Sequence, residues 1–227
     1  MKKHIILVQL LLICGICNSQ NLIPNGDFEQ HTGCPGNLSQ LSDANYWIQP
    51  STGTADYFNQ CANNPISNVP ITEFGFQIAH SGGAFAGIRT WTTGGINYRE
   101  YIETPFSSIA GSSLVANECY HFQMYVNLCN HCKYNSNDIG VYFSDTLISG
   151  VGNWNVLPYV PQLYNNTSYA DTLNWMLISG NYTAHGGESY LIIGNFKSDV
   201  LTDTTIGNPA GNENMAYFYF DDVSLVP

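Results

Sequence analysis

The stretch CYHFQMYVNLC, residues 119–129, decides the fold class because its side chains alternate in character with a period of two. The even positions are apolar or aromatic: Tyr120, Phe122, Met124, Val126 and Leu128. The odd positions between the two cysteines are polar or aromatic: His121, Gln123, Tyr125 and Asn127. Successive side chains of a β-strand point to opposite faces of a sheet. The stretch therefore predicts a strand with one buried face and one polar, aromatic face.

Six further stretches predict strands, and turn-forming glycine clusters such as Ser81-Gly82-Gly83 and His185-Gly186-Gly187 separate them. The stretches are residues 84–91, 98–104, 138–144, 175–183, 190–196 and 215–226, with a short pairing segment at 22–28. No long amphipathic helix is evident. About eight strands with irregular loops predict an all-β fold, a two-sheet antiparallel β-sandwich of the jelly-roll type.

Composition excludes two classes of protein. The 227 residues are 44% hydrophobic and only 10% charged, which excludes a disordered tail. The formal net charge is -11, with only six Lys and Arg residues. Because phosphate binding needs clustered basic side chains, the charge balance argues against a nucleic-acid partner.

Residues 1–19 predict a signal peptide. Lys2 and Lys3 precede an apolar run over residues 5–16, and the small residues Cys17 and Ser19 suit a cut after Ser19. The run is too short for a transmembrane anchor, and no later segment is apolar for long enough to span a bilayer. We expect residues 20–227 to form one secreted domain.

Five cysteines remain after the signal peptide, and an oxidising compartment would let them pair. Cys34 and Cys61 enclose a loop-rich stretch and are our first predicted disulfide. In the chain-entropy model, closing that loop stabilises the fold by roughly 3 to 4 kcal/mol.

Cys129 and Cys132 allow more than one interpretation. Their spacing suits a zinc half-site or a redox pair, with His121 and His131 as extra zinc ligands. A second zinc knuckle and a helix-start setting for a redox motif are both missing from the sequence. A local disulfide, or a bridge to Cys119, is the favoured interpretation.

The two ends of the predicted domain carry a resemblance to a known family. Residues 21–29 read NLIPNGDFE, and residues 217–227 read YFYFDDVSLVP. Together they resemble the first and last strands of carbohydrate-binding-module-like jelly rolls in the galactose-binding superfamily. The resemblance implies that the two segments lie near each other and that a structural calcium ion sits where their acidic residues converge.

Carried over to this chain, the resemblance makes Glu29 and Asp222 the matching calcium ligands, with Asp27 and Asp221 as substitutes. Backbone carbonyl oxygens would complete the shell. Neighbouring residues of a strand face opposite sides, so at most one of Asp221 and Asp222 is expected to share a site with Glu29.

The middle of the chain is similar to a secreted β-sandwich found at the front of bacterial envelope proteins, where an outer-membrane-protein-A-type domain often follows. The matching motifs are Cys34-Pro35, residues 38–41, 56–59 with Cys61, 80–82, 86–88 and 98–102, and Asn174-Trp175. This likeness implies a location at the cell surface or outside the cell. It also implies a glycan, a cell-surface polymer or other envelope proteins as partners.

A sugar-binding surface needs aromatic rings that stack on pyranose faces and planar polar groups that bond hydroxyls. The polar face of the 119–129 strand carries both, and we expect neighbouring strands to add more. The candidate ligand-binding residues are Arg89, Trp91, Arg99, Tyr101, His121, Gln123, Tyr125, Asn127 and Tyr142.

Two other function classes stay open. Glycoside hydrolysis needs two carboxylates, for which Asp171, Glu188 and Asp203 are available, but no hydrolase or phosphate-loop signature is present. A structural or adhesive envelope protein would instead need an exposed apolar patch. We expect a non-catalytic module that binds glycan, stabilised by disulfides and a structural calcium ion.

Overall fold

The computed structural model describes residues 20–106, 113–164 and 167–227. The predicted signal peptide, residues 1–19, lies outside the described residues. Within these described ranges the chain forms thirteen strands and one 3-10 turn, Leu41–Asp43. The strands are β1 (Asp56–Asn59), β2 (Ile71–Thr72), β3 (Gly75–Phe76), β4 (Ala84–Thr92), β5 (Tyr101–Pro105), β6 (Cys119–Leu128), β7 (Tyr134–Ser136), β8 (Gly140–Ser144), β9 (Leu163–Tyr164), β10 (Met176–Thr183), β11 (Tyr190–Gly194), β12 (Thr204–Ile206) and β13 (Met215–Val226).

Two antiparallel sheets form the sandwich. One has five strands in the order β1-β4-β13-β6-β10, and the other has four in the order β5-β11-β8-β9. The longer strands alternate between the two sheets along the chain, as in a jelly roll. The β2-β3 hairpin and the two-stranded sheet that β7 forms with β12 lie outside these sheets. The predicted fold class is confirmed.

The core lies between the two sheets. The even-numbered face of β6 is buried there, as its alternation predicts, and Phe122 meets Phe143 of the other sheet edge-on with ring centroids 6.5 Å apart. Phe218 and Phe220 of β13 are also fully buried in this cluster. At ~25 cal/mol per Å2 of apolar surface, such burial is the main stabilising contribution to the fold.

Both outer faces of the sandwich are largely covered. The β2-β3 hairpin lies on the five-stranded sheet, where the hydroxyls of Thr72 and Tyr219 are 2.7 Å apart and Phe74 packs on Tyr217 at 4.2 Å. Residues 145–161 cover the four-stranded sheet, and the N–H of Leu157 donates to Tyr101 Oη. These coverings leave grooves at the margins of the sheets.

All seven predicted strands are present, with ends shifted by at most three residues. The segment 22–28 pairs with β13 without forming a strand: Leu22 N–H donates to Leu225 O, and Val223 N–H donates to Gly26 O. The edge strand β1 was not predicted, because its residues DYFN show no alternation of apolar and polar types, and the short strands β2, β3, β7, β9 and β12 were not predicted either.

Two disulfides are present, Cys34–Cys61 and Cys129–Cys132, and Cys119 is free and exposed. The predicted disulfide between Cys34 and Cys61 is confirmed. Of the two alternatives favoured for Cys129 and Cys132, the local disulfide is present and a bridge to Cys119 is not. In the described parts of the chain, no helix has the length and apolar character needed to cross a bilayer.

Candidate functional site

A polar groove lies where the N-terminal segment meets the end of β13. Its volume is about 580 Å3. The lining residues come from the segment 21–30, the loop after β3, the outer face of β6 and the end of β13: Asn21, Ile23, Asn25, Gly26, Asp27, Gln30, His80, Gln123, Tyr125, Asp222, Val223 and Ser224. Most carry planar amide or carboxylate groups or a ring.

The N-terminal wall of the groove is held rigidly by Asn25. Its side-chain N–H groups donate to the carbonyls of Gln30 and Asn45, and its Oδ1 accepts the N–H of Gln30. Trp47, fully buried, donates its indole N–H to Asn25 O at 2.9 Å. Because these bonds fix the turn, the groove wall is preformed.

The opposite wall is shaped by a β-bulge in β13, where Asp222 has φ +48. The bulge turns both Asp221 and Asp222 toward the loop 80–83: Asp221 Oδ2 accepts the N–H groups of His80 and Ser81, and Asp222 Oδ1 accepts the Ser81 hydroxyl. The expectation that the two carboxylates face opposite sides is wrong, because a bulge interrupts the alternation of side chains.

The ring of His80 stacks on Tyr125 with centroids 3.6 Å apart and planes 18° from parallel. His80 Nδ1 also contacts Asp222 Oδ2. One face of the Tyr125 ring is therefore occupied by His80, and both residues line the groove.

Burial, and then the charge of Asp222, raise the pKa of Asp221 to about 8, although hydrogen bonds from Ser81, Asp222 and His80 oppose the shift. Asp27 and Asp222 are the acids that line the groove, and none of the lining residues is Lys or Arg. The groove is thus suited to neutral or cationic polar ligands, and it disfavours anions.

Four of the residues singled out in the sequence meet at this groove. Gln123 and Tyr125 come from the ligand-binding candidates, and Asp27 and Asp222 come from the metal candidates. The first and last segments lie side by side, as the family resemblance implies, and this proximity brings the two sets together.

The other ligand-binding candidates do not share that surface. The neighbours of β6 are β13 and β10, so the expectation that the strands of Tyr101 and Tyr142 lie beside it is wrong. Both tyrosines lie on the outer face of the four-stranded sheet, under residues 145–161. Arg99 is fully buried and donates to Asp199 Oδ1 at 2.6 Å, so a ligand on the surface cannot reach it.

The remaining candidates lie on the five-stranded sheet, away from the groove. The guanidinium of Arg89 lies over the ring of Tyr98, and Trp91 packs edge-on against Tyr134. Asn127 is buried and donates to the carbonyls of residues 171 and 174. His121 is exposed and pairs with Asn181 on the adjacent strand.

Three of the four carboxylates proposed as calcium ligands, those of Glu29, Asp221 and Asp222, are bonded to N–H and O–H donors of one loop, while Asp27 lines the polar groove. Glu29 Oε1 accepts the N–H of Gly83 at 2.8 Å, and Asp221 and Asp222 accept from His80 and Ser81. Calcium takes six to eight oxygen ligands. Over residues 20–106, 113–164 and 167–227, no three His, Cys, Asp or Glu side chains are placed to hold one metal ion. The arrangement does not fit a shared calcium shell.

Two of the three carboxylates considered for hydrolysis, those of Asp171 and Glu188, also have structural partners. Asp171 accepts the N–H groups of Leu173 and Asn174, and Glu188 accepts those of His185 and Gly186. Neither these two acids nor Asp203 line the polar groove. No pair of acids predicted for catalysis is thus brought together there.

Eight of the twelve groove residues were not predicted as site residues: Asn21, Ile23, Asn25, Gly26, Gln30, His80, Val223 and Ser224. His80 entered the sequence analysis only as part of the motif 80–82. A signal was present in the Ser81-Gly82-Gly83 turn: a Cβ at Gly82, where φ is +58, would lie 2.3 Å from Glu29 Oε1. The positive φ at this position favours glycine, and the missing Cβ leaves room for the Glu29 carboxylate.

No family model matches the chain, and no curated protein matches it in sequence. Among solved structures, the chain is similar to the CBM22-1 xylan-binding domain of Paenibacillus barcinonensis Xyn10C, at 14% identity and a TM-score of 0.41 over 86% of this chain and 96% of that one. It is also similar to a putative sugar-binding protein from Bacteroides thetaiotaomicron, at 12% identity and a TM-score of 0.41 over 91% and 99%. A third similar structure is the K1 cleaved adhesin domain of Lys-gingipain from Porphyromonas gingivalis. The identity is 14% and the TM-score is 0.38, over 80% of this chain and 90% of that one.

Carbohydrate-binding modules are thus among the structures that this chain is similar to, as the resemblance of its end motifs predicts. The identities and TM-scores are too low to transfer a ligand. The groove itself carries the functional argument.

Proposed function

We propose that the protein is a non-catalytic glycan-binding module and that the polar groove is its binding site for a neutral sugar. The observation that carries the proposal is the lining of the groove. Amide and carboxylate groups from Asn21, Gln30, Asp27 and Gln123 border a volume of about 580 Å3 beside the Tyr125 ring. Planar polar groups and an aromatic ring are the elements that recognise sugar hydroxyls and pyranose faces.

The charge of the groove selects among sugars. Its acidic lining and the net charge of -11 would repel uronic or sialic acids. A neutral glycan avoids that repulsion, and its hydroxyls can donate to Asp27 and Asp222. We therefore expect neutral oligosaccharides to bind and acidic ones to bind weakly.

The proposal of a non-catalytic role rests on the bonds of the carboxylates. A general acid or base must be free to exchange a proton with substrate. Asp27 and Asp222 are the two acids that line the groove, and Asp222 is held by His80 and Ser81. The neighbouring Asp221 is held by backbone N–H groups, so the bonds of Asp221 and Asp222 stabilise the bulge, and Asp27 has no second free carboxylate from β13 beside it.

A glycan array followed by calorimetric titration tests the proposal. Gln123→Ala should weaken binding of a neutral glycan about tenfold, because it removes a hydrogen-bonding group from the site. Tyr125→Phe should reduce the affinity less than Gln123→Ala does, since the aromatic ring stays in place. Asn212→Ala lies outside the groove and is the matched control. Silence across neutral glycans, or equal losses in Gln123→Ala and Asn212→Ala, would contradict the assignment.

A second candidate function is adhesion to a protein. Ile71 and Phe76 are cross-strand partners in the β2-β3 hairpin, and each is more than half exposed. An exposed apolar pair of this kind favours a protein contact. Ile71→Ser with Phe76→Ser would abolish adhesion of the purified protein to cells while leaving glycan titrations unchanged; loss of both activities would reject a separate adhesive surface.

Export to the cell surface or beyond is part of the same proposal, and two disulfides support it. N-terminal sequencing of the exported protein should begin at Gln20. Calcium binding stays a prediction from the family resemblance, and no step of the proposed function depends on it.

A further inference from the structure

A second pocket, separate from the polar groove, lies at the edge of the four-stranded sheet beside β8 and β9. Its volume is about 280 Å3. It is lined by Asp138, Tyr159, Val160, Pro161, Tyr164, Phe196 and Lys197. Apart from one charged pair and the tyrosine hydroxyls, the wall is apolar or aromatic.

The aromatic walls are held from behind by residues of the sheet. Tyr159 stacks on Tyr142 with ring centroids 4.6 Å apart and planes 14° from parallel. Phe196 packs against Tyr101 at 5.4 Å. Because Tyr142 covers one face of Tyr159, only the other face is left to a ligand. Tyr101 and Tyr142, expected to touch ligand, instead position the rings that line this pocket.

The polar end of the pocket is a neutral ion pair. Lys197 Nζ donates to Asp138 Oδ1 at 2.8 Å and also contacts the Tyr164 hydroxyl. Asp138 is buried, and its Oδ2 accepts the N–H of Asp203 at 2.6 Å. An ammonium group has three N–H donors. Within the described residues, two of them have partners, which leaves one for a ligand.

We propose that this pocket binds a neutral phenol-type ring, with the ring between Tyr159 and Phe196 and its oxygen accepting a hydrogen bond from Lys197. An engineered apolar cavity of about 150 Å3 in another protein holds benzene, so 280 Å3 leaves room for a substituted ring. Aromatic rings gain from stacked and edge-on contacts beyond the area they bury.

Two other ligand classes fit less well. A pyranose carries hydroxyls around its whole rim, and the apolar wall would leave most of them without partners, which is costly. A carboxylate would add charge beside Asp138, which already neutralises Lys197. A single ring with one neutral polar group matches a wall that is polar at one end.

The test is a fluorine NMR titration of the full protein with 4-fluorophenol. We expect a saturable shift that phenol displaces and that cyclohexanol and methyl glucoside do not. Tyr159→Ala should weaken binding roughly three- to tenfold through loss of the stacked ring. Lys197→Met should weaken it several-fold through loss of the donor.

Gln123→Ala, in the polar groove, is the control and should leave the phenol titration unchanged, so that failure here is separable from failure of the glycan proposal. Melting curves show whether each variant is folded, and Phe196→Leu provides a second loss of an aromatic wall. The proposal is overturned if no saturable binding is seen, or if cyclohexanol or methyl glucoside displaces the probe as effectively as phenol does. It is also overturned if folded Tyr159→Ala binds 4-fluorophenol with unaltered affinity.

Discussion

The imidazole of His80 lies flat on the ring of Tyr125, with centroids 3.6 Å apart, and its Nδ1 contacts the carboxylate of Asp222. Three parts of the chain meet in this contact: the loop after β3, strand β6 and the bulge of β13. The pair forms one wall of the polar groove, so the same contact stabilises the fold and sets the shape of the groove.

Replacing His80 with Ala should lower the free energy of unfolding by about 1 kcal/mol, the scale of a stacked aromatic pair. His80→Phe keeps the stack and should recover most of the loss. Urea denaturation measures both. His121→Ala, on the exposed face of β6, is the matched control; an equal loss there would show that the stack contributes nothing.

Arg99→Met should destabilise the protein by about 3 to 5 kcal/mol, because it leaves the carboxylate of Asp199 without its buried partner. The guanidinium also donates to Lys197 O and Thr202 Oγ1, so several acceptors lose a donor. Lys133→Gln removes a cation that lies over the Tyr134 ring and should change stability far less. Similar unfolding midpoints for the two variants would contradict this prediction.

The raised pKa of Glu103 predicts that the free energy of unfolding depends on pH. Burial raises its pKa from 4.5 to about 7, against a hydrogen bond from Ile148 N–H that lowers it. The folded chain then holds a proton that the unfolded chain has released, so stability falls as pH rises from about 4.5 to about 7. At 1.36 kcal/mol per pKa unit, the loss is on the order of 3 kcal/mol.

Glu103→Gln should remove that fall, and the gain over wild type should be larger at pH 8 than at pH 5. Asp56, whose pKa burial and then Glu100 raise to about 8, and Asp221, whose pKa burial and then Asp222 raise to about 8, keep a residual slope in the variant. Unfolding curves across pH measure the difference. A pH-independent difference between variant and wild type would refute the role of Glu103.

Cys34→Ser combined with Cys61→Ser should cost roughly 3 kcal/mol, because the disulfide closes a loop between residues 27 apart. Cys119→Ser is the control and should be close to neutral, since this thiol is exposed and unpaired. Thermal unfolding reports both. For the chain cut after Ser19, which lacks Cys14 and Cys17, the accompanying expectation is one reactive thiol per chain, titrated with a thiol reagent.

Chelation tests the calcium prediction. Because Glu29, Asp221 and Asp222 already accept N–H and O–H donors, we expect the melting temperature to stay the same when calcium is removed. The family resemblance predicts a fall, since an ion that binds only the folded state stabilises it by mass action. A fall reversed by added calcium would show that the loop 80–83 rearranges around an ion.

The long strands were predictable because apolar and polar residues alternate along them. In β6, every second residue is apolar or aromatic because it packs in the core. The two segments that cover the sheets, the β2-β3 hairpin and residues 145–161, were not predictable. Their sequences have no regular period, and their positions depend on contacts with Tyr219 and Tyr101, which are distant in sequence.

The candidate site was predictable in its parts and not as a whole. Gln123 and Tyr125 follow from the alternation of β6, and Asp27 and Asp222 follow from the end motifs. Their convergence depends on the bulge at Asp222, a backbone feature that residue types alone do not reveal.

The central position of β13 has a consequence for how the protein is made. This strand, residues 215–226, pairs with β4 on one side and β6 on the other, so β4 and β6 have no direct pairing with each other. During synthesis, the five-stranded sheet therefore cannot close until residues 215–226 have left the ribosome. Since β4 lies more than a hundred residues upstream, its pairing with β13 has to wait for that whole stretch, and slow folding is expected of such distant pairings.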